Sequence, residues 1–190
     1  MIKHKRFLII LIIVILAVSV PYLLVLSSCK KSDYSENISD YEAFVNQVNY
    51  AKDHMPSLSE FNEIDHFLIT RNTKQYLLWK VESVSLELRF TQKAYQDILK
   101  MIENKYHFLT EVKKGLNDYE AQIDGYYIRI VDIGNQGHEN NSYHFPKCFM
   151  MIGVNVETNS VIYLFHNDPD LDEIKDLDKY IQQVYHIKKS

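Results

Sequence analysis

Apolar and polar residues alternate along two stretches of the chain, and this period of two constrains the fold more than any other feature of the sequence. In residues 84–90, apolar side chains occupy every second position, with Ser85, Glu87 and Arg89 between them. In residues 148–156, apolar side chains again occupy every second position, from Cys148 to Val156. Successive side chains of a strand point to opposite faces, so each stretch predicts a strand, and residues 84–90 predict one dry and one wet face.

Turn signals indicate how the strands are connected. Asp124-Gly125 separates residues 119–123 from residues 126–131, and an Asp-Gly pair between apolar runs strongly favours a hairpin. Residues 157–160 separate the second alternating stretch from the apolar run Val161–Phe165, which predicts another hairpin. Because hairpins join antiparallel neighbours, we expect a mainly antiparallel sheet.

Helical spacing occurs near the start, the middle and the end of the domain. Ser39 and Glu42 have capping-box spacing ahead of an apolar face that extends to Ala51. Apolar residues then recur at helical spacing in residues 91–105, and a final helix is expected with Asp170 as its N-cap. Helices among hairpins predict an α+β fold.

Two shorter assignments complete the predicted order of elements. Residues 71–74 (Arg-Asn-Thr-Lys) indicate a turn after a short apolar run, because polar residues with turn preference cluster there. Residues 106–112 indicate one more strand, closed by Lys113-Lys114-Gly115.

The N-terminal segment is typical of an export or anchoring sequence. Lys3, Lys5 and Arg6 precede an uncharged, mainly apolar run over residues 7–28. About 20 apolar residues span a bilayer, whereas the core of a cleaved secretory signal has roughly 7–15. Basic residues resist translocation, so we expect residues 1–28 to be a signal peptide or membrane anchor and residues 30–190 to lie outside the cytoplasm.

The apolar run ends in Leu26-Ser27-Ser28-Cys29. This motif resembles the lipobox of bacterial lipoproteins, in which a leucine and two small residues precede an obligatory cysteine. The resemblance implies that Cys29 receives a diacylglyceryl group and becomes the first residue of the mature protein. An uncleaved transmembrane helix and plain secretion are the alternatives. The composition, rich in Ile, Lys, Asn and Tyr, is similar to that of lipoproteins of low-GC Gram-positive bacteria.

Beyond the anchor, we expect residues 29–38 to be a polar tether and residues 39–190 to be a single extracytoplasmic domain. Without residues 1–28 the chain keeps 18 basic and 25 acidic residues, a net charge of −7, so neither nucleic acid nor anionic lipid is an expected partner. If Cys29 is acylated, Cys148 has no partner for an internal disulfide. Cys148 shares a face with apolar residues, which predicts a buried, inert thiol.

Few residues form a motif that carries chemistry. None of the five glycines belongs to a dinucleotide or phosphate loop, and we expect no cofactor. His138, His144 and His166 are weak candidates for a zinc site, but Ser142 stands where the helical His-Glu-x-x-His motif needs its second histidine. A solvated loop is therefore the favoured interpretation.

Asp168, Asp170 and Asp172 alternate as at the start of a calcium loop. Glu173 stands where such a loop needs glycine, and Lys179 where it needs a bidentate glutamate. The favoured interpretation of this segment is a helix start.

The sequence favours a non-catalytic binding or interaction module, held at the extracytoplasmic face of the cell membrane, whose partner is a protein or a small molecule. The alternative is a cell-surface hydrolase, metal-assisted through His138, His144 and His166. Catalytic residues are not assigned.

Overall fold

The computed structural model of the protein describes Ile15 and residues 30–76, 78–132 and 146–185. In these residues the chain forms one antiparallel sheet of seven strands. The strands are β1 (Lys30–Ser35), β2 (Ile64–Gln75), β3 (Lys80–Phe90), β4 (Glu120–Ile123), β5 (Tyr126–Val131), β6 (Cys148–Asn155) and β7 (Ser160–Asn167). In this part of the chain, no helix is both long enough and apolar enough to cross a membrane.

Four α-helices lie among the strands of the described residues, and the predicted α+β fold is confirmed. They are α1 (Tyr41–Val45), α2 (Ala51–His54), α3 (Gln92–Lys105) and α4 (Leu177–Tyr185). Short 3-10 turns at Ile38–Asp40 and Leu58–Glu60 flank the first two helices.

The strand order is β1-β2-β3-β7-β6-β5-β4, and every neighbouring pair is antiparallel. After β3 the chain passes through α3 to the far edge of the sheet, and the β4–β7 meander then returns to pair with β3. Glu82 of β3 thus lies opposite Asn167 of β7. This closure joins residues that are far apart in sequence.

The sheet separates two hydrophobic cores. Helices α1, α2 and α3 cover one face, where Val84, Leu86 and Tyr163 are fully buried. Helix α4 and the segment before β4 cover the other face, over Ile128 and Leu164. Burial on both faces explains the unbroken apolar run from Val161 to Phe165 in β7, as is typical of a central strand.

Both predicted hairpins are confirmed. Asp124 and Gly125 join β4 to β5 with φ of 52° and 77°, the left-handed values that a two-residue hairpin turn requires. The predicted middle helix is also confirmed as α3. The Thr91 hydroxyl caps it by accepting a hydrogen bond from the Ala94 N–H at 3.3 Å.

The expected tether and the expected turn both lie in strands. β1 pairs with β2 along its whole length, and Asp33 of β1 forms ion pairs with Arg71 and with Lys31. β2 continues through residues 71–74, and the chain reverses only afterwards, where the Tyr76 N–H donates to the Trp79 carbonyl at 2.8 Å. Hydrogen bonding to strands on both sides of β2 overrides the local turn preference.

Two elements expected from the sequence, the N-terminal helix and the strand at residues 106–112, differ in the structure. The N-terminal helix is broken into α1 and α2 by Tyr50, which has a φ of 67°. The expected strand at residues 106–112 is reduced to one bridge between Phe108 and Val131.

The final helix begins at Leu177, so the assignment of Asp170 as its N-cap is wrong. The Ile174 N–H donates to the Gly115 carbonyl at 2.7 Å, and the Ile174 carbonyl accepts from the Asn117 N–H at 3.3 Å. These bonds engage the backbone of Ile174 outside any helix. Asp176 caps α4 instead, because its carboxylate accepts from the Lys179 N–H at 2.9 Å.

Candidate functional site

A row of polar residues crosses the sheet on the face that α4 covers. Ser32 of β1 lies opposite Asn72 of β2, Asn72 lies opposite Ser83 of β3, and Ser83 lies opposite His166 of β7. Sequence alternation predicts that the face of β3 bearing Ser83 is wet. Ser83 is instead buried, as are Asn72 and His166, because α4 packs against this part of the sheet.

Three residues of the row, Asn72, Ser83 and His166, form one wall of a pocket of about 280 Å³. Tyr180 and Gln183 of α4 line the opposite side, and Lys30, Lys74 and Asp168 lie at the strand ends. This volume is close to the lower limit of small-molecule sites, roughly 300–1,000 Å³. The pocket therefore suits a small ligand with several polar groups.

Asn72 is the least satisfied polar side chain of the pocket. Only 5% of the residue is exposed, and neither its Nδ2 nor its Oδ1 has a hydrogen-bond partner among the described residues. A buried polar group left without a partner costs about 1–3 kcal/mol, and most such groups in folded proteins are satisfied. The carboxamide of this lining residue thus has one unused donor group and one unused acceptor.

His166 is fully buried and is held by aromatic neighbours. Its Nε2 is hydrogen-bonded to the Tyr180 hydroxyl, and its ring lies 5.5 Å from the ring of Phe149. Burial lowers the pKa of His166 to about 3, because the interior disfavours the charged imidazolium. Its Nδ1 has no hydrogen-bond partner in the part of the chain that the structure describes. The imidazole is therefore neutral, with one nitrogen unused.

Charged groups flank the polar row. Burial raises the pKa of Asp168, and the Asp170 N–H partly opposes this effect by donating to the Asp168 carboxylate at 3.0 Å. Lys74 is close enough to lower the pKa of that carboxyl. The segment of alternating aspartates thus begins with a tight turn that holds Asp168 beside the pocket.

The sequence-predicted site residues have different outcomes. Cys29, His138 and His144 lie outside the described residues, whereas His166 lines the pocket. Within residues 30–76, 78–132 and 146–185, no three His, Cys, Asp or Glu side chains gather as a metal site. Cys148 lies in the other core with 1% of the residue exposed, and burial raises the pKa of its thiol to about 12, as expected of an inert cysteine.

Sequence reasoning missed Asn72, Ser83 and Tyr180 as site residues. Asn72 falls in the segment interpreted as a turn, and Ser83 falls on the face interpreted as wet. A long strand over residues 64–75 would have placed Asn72 beside Ser83, but only the pairing of β3 with β7 brings His166 next to Ser83.

Comparisons with known proteins identify no relative. No protein-family model matches this chain, and no curated protein or solved structure matches it significantly.

Proposed function

We propose that this protein is a membrane-anchored extracytoplasmic binding module, a lipoprotein attached through Cys29, whose pocket binds a small polar molecule. The observation that carries the binding proposal is the buried carboxamide of Asn72, which lines the pocket with both of its polar atoms unpaired among the described residues. A ligand group that accepts one hydrogen bond and donates another would complete it, and an amide has both functions.

The pocket favours binding over catalysis. A general base works best when its pKa lies near the working pH. The pKa of His166, lowered to about 3 by burial, leaves the imidazole a weak base, and its Nε2 is already engaged by Tyr180. His166 is therefore suited to hydrogen-bond a ligand. The hydrolase alternative, which uses His138, His144 and His166, stays a prediction.

Ligand binding is tested with residues 30–190, since all seven strands and both cores lie within them. The probes are acetamide and methyl acetate, an ester that keeps the carbonyl acceptor but lacks the amide N–H. In titrations of the ¹⁵N-labelled domain, we expect the amide to shift the side-chain signals of Asn72 more than the ester does. Equal responses to both probes would contradict recognition through the carboxamide.

Replacing Asn72 separates a binding role from a structural one. We expect Asn72→Val to abolish the response to the amide and to raise the free energy of unfolding of the empty domain by about 1–3 kcal/mol, because it removes two unsatisfied groups. Thr70→Val is the matched control, on the same face of β2 but outside the pocket lining. Destabilisation by Asn72→Val would show that the amide has partners in the fold.

The proposed anchor is tested by metabolic labelling with a radioactive fatty acid. We expect the full chain to be labelled and Cys29→Ala to be unlabelled and misprocessed. Unchanged labelling of the variant would refute lipidation at Cys29. An unlabelled wild-type chain in the membrane fraction would favour the uncleaved helix.

A further inference from the structure

The turn between β2 and β3 exposes Leu78 beside the half-buried rings of Tyr76 and Trp79, and of these three residues only Tyr76 lines the proposed ligand pocket. Leu78 is 85% exposed, the highest exposed fraction among the large apolar residues that the structure describes. Beside it, the rings of Tyr76 and Trp79 stack with centroids 4.9 Å apart. We call Tyr76, Leu78 and Trp79 the hairpin tip.

Lysines surround the hairpin tip. Lys74 Nζ lies 4.7 Å from the centre of the Tyr76 ring, and Lys80 directly follows Trp79. Lys30 lies opposite Lys74 in the register of β1 and β2, and Lys31 is the next residue of β1. We call these four residues, Lys30, Lys31, Lys74 and Lys80, the lysine cluster.

Three carboxylates face the lysine cluster. Lys31 is paired with Asp33 at 3.1 Å, and Lys80 contacts Glu82. Asp168 lies in the pocket near Lys74. The four lysines thus outnumber the three carboxylates near them. The chain after residue 28 carries a net charge of −7, so this end of the domain is less acidic than the rest.

The position of the proposed anchor indicates which surface the hairpin tip contacts. β1 begins at Lys30, immediately after Cys29 and the apolar run. Lys30 is paired with Lys74, which is two residues, or about 7 Å of strand, from Tyr76. Because these residues form a strand and not a tether, no spacer separates the anchor from this end of the sheet. A membrane anchor at Cys29 would therefore hold the hairpin tip at the bilayer.

We propose that the hairpin tip docks on the lipid surface of the membrane that holds the anchor, a proposal that rests on the membrane attachment proposed above. Tryptophan and tyrosine favour the interface between lipid and water, and lysines there bind anionic headgroups. Leu78 enters the apolar layer, and the lysine cluster contacts lipid phosphates. Docking orients the domain so that the start of β1 and the β2–β3 turn lie against the bilayer.

The opposite end of the sheet provides a matched control. There the β6–β7 turn exposes Val156, which is 70% exposed and is followed by Glu157. It presents one large apolar side chain beside an acidic residue, with neither aromatic side chains nor lysines in the turn. This end is not expected to contact lipid.

Trp79 reports directly on docking because it is the only tryptophan of the chain. The experiment uses the full-length lipidated protein in vesicles of phosphatidylcholine with phosphatidylglycerol. Lipids brominated on the acyl chain near the headgroup quench a nearby indole, and acrylamide quenches one exposed to water. We expect about twofold or greater quenching of Trp79 by the brominated lipid and weak quenching by acrylamide, as for an interfacial tryptophan.

The variants assign the effect to the hairpin tip. Leu78→Asp is expected to restore Trp79 emission in brominated vesicles, whereas Val156→Asp leaves the quenching unchanged. Trp79 that is open to acrylamide and insensitive to brominated lipid, in protein that floats with the vesicles, would overturn docking while leaving the anchor intact. Failure of the full chain to float with vesicles would refute the membrane attachment, and docking with it. Leu78→Asp leaves the lining of the pocket unchanged, because Leu78 does not line it, whereas Tyr76, Lys30 and Lys74 do.

Discussion

Acidification should destabilise the domain through His166. The imidazole is buried in the folded state, where desolvation lowers its pKa to about 3, whereas an unfolded histidine titrates near 6.5. Below pH 6.5, His166 therefore binds a proton in the unfolded chain but not in the folded chain. The stability present at neutral pH is lost as pH falls from about 6.5 towards 3, by about 1.4 kcal/mol per pH unit.

The size of the effect follows from these two pKa values. Between pH 7.5 and pH 5, the His166 contribution to the free energy of unfolding should fall by about 2 kcal/mol. Domains of this kind have total stabilities of about 5–15 kcal/mol, so the loss is measurable. Asp168 acts in the opposite direction, because its raised pKa makes the folded state bind a proton more readily as pH falls.

The assay is urea unfolding of residues 30–190 at pH 7.5 and pH 5, compared with His166→Gln. Glutamine does not titrate and still offers Tyr180 a hydrogen-bonding partner. We expect the wild type to lose about 2 kcal/mol more than the variant over this interval, while Asp168 contributes equally to both.

Equal losses in the two proteins would refute the reasoning, because they would mean that His166 has the same pKa folded and unfolded. A second measurement uses the wild type alone, so it does not depend on whether the variant folds. In the wild type, the NMR signal of the His166 Cε1–H should not titrate between pH 7.5 and pH 5. A midpoint near pH 6.5 would contradict a buried neutral imidazole.

Three further outcomes are expected. Gly125→Ala should cost about 1–3 kcal/mol in urea unfolding, because φ is 77° and the added Cβ would lie 2.7 Å from Asn155 Nδ2; an unchanged midpoint would refute that strain. Cys148 should resist a bulky thiol reagent at pH 8 until urea unfolds the domain, since burial raises its thiol pKa to about 12; fast native labelling would place it outside the core. Asp176→Ala should cost about 0.5–2 kcal/mol through loss of the α4 cap, while Asp170→Ala costs less; the reverse order would restore Asp170 as the cap.

Elements that depend on nearby residues were predictable from the sequence. The Asp124-Gly125 hairpin needs only a turn pair and two flanking apolar runs, and α3 needs only a capping threonine and helical spacing. Both are present with the predicted type and place. Local chemistry also predicts the buried state of Cys148, which continues an apolar alternation.

Elements that depend on distant partners were not predictable in the same way. Residues 30–35 and 71–74 are polar and resemble a tether and a turn, yet they form strands because β1, β2 and β3 satisfy one another's backbone. Similarly, α4 begins late because Ile174 bonds to residues 115 and 117. In each case a contact remote in sequence outweighed the local preference.

The sequence by itself determined the α+β class, the two hairpins and the middle helix, because each depends on periodicity or composition within a short window. The tertiary structure alone decided the pocket. Asn72 and Ser83 meet across one hairpin, but His166 joins them only when the meander returns β7 to β3, and Tyr180 closes the site only when α4 packs over that face. The register between distant strands decides which polar side chains share a buried surface, and no local pattern encodes that register.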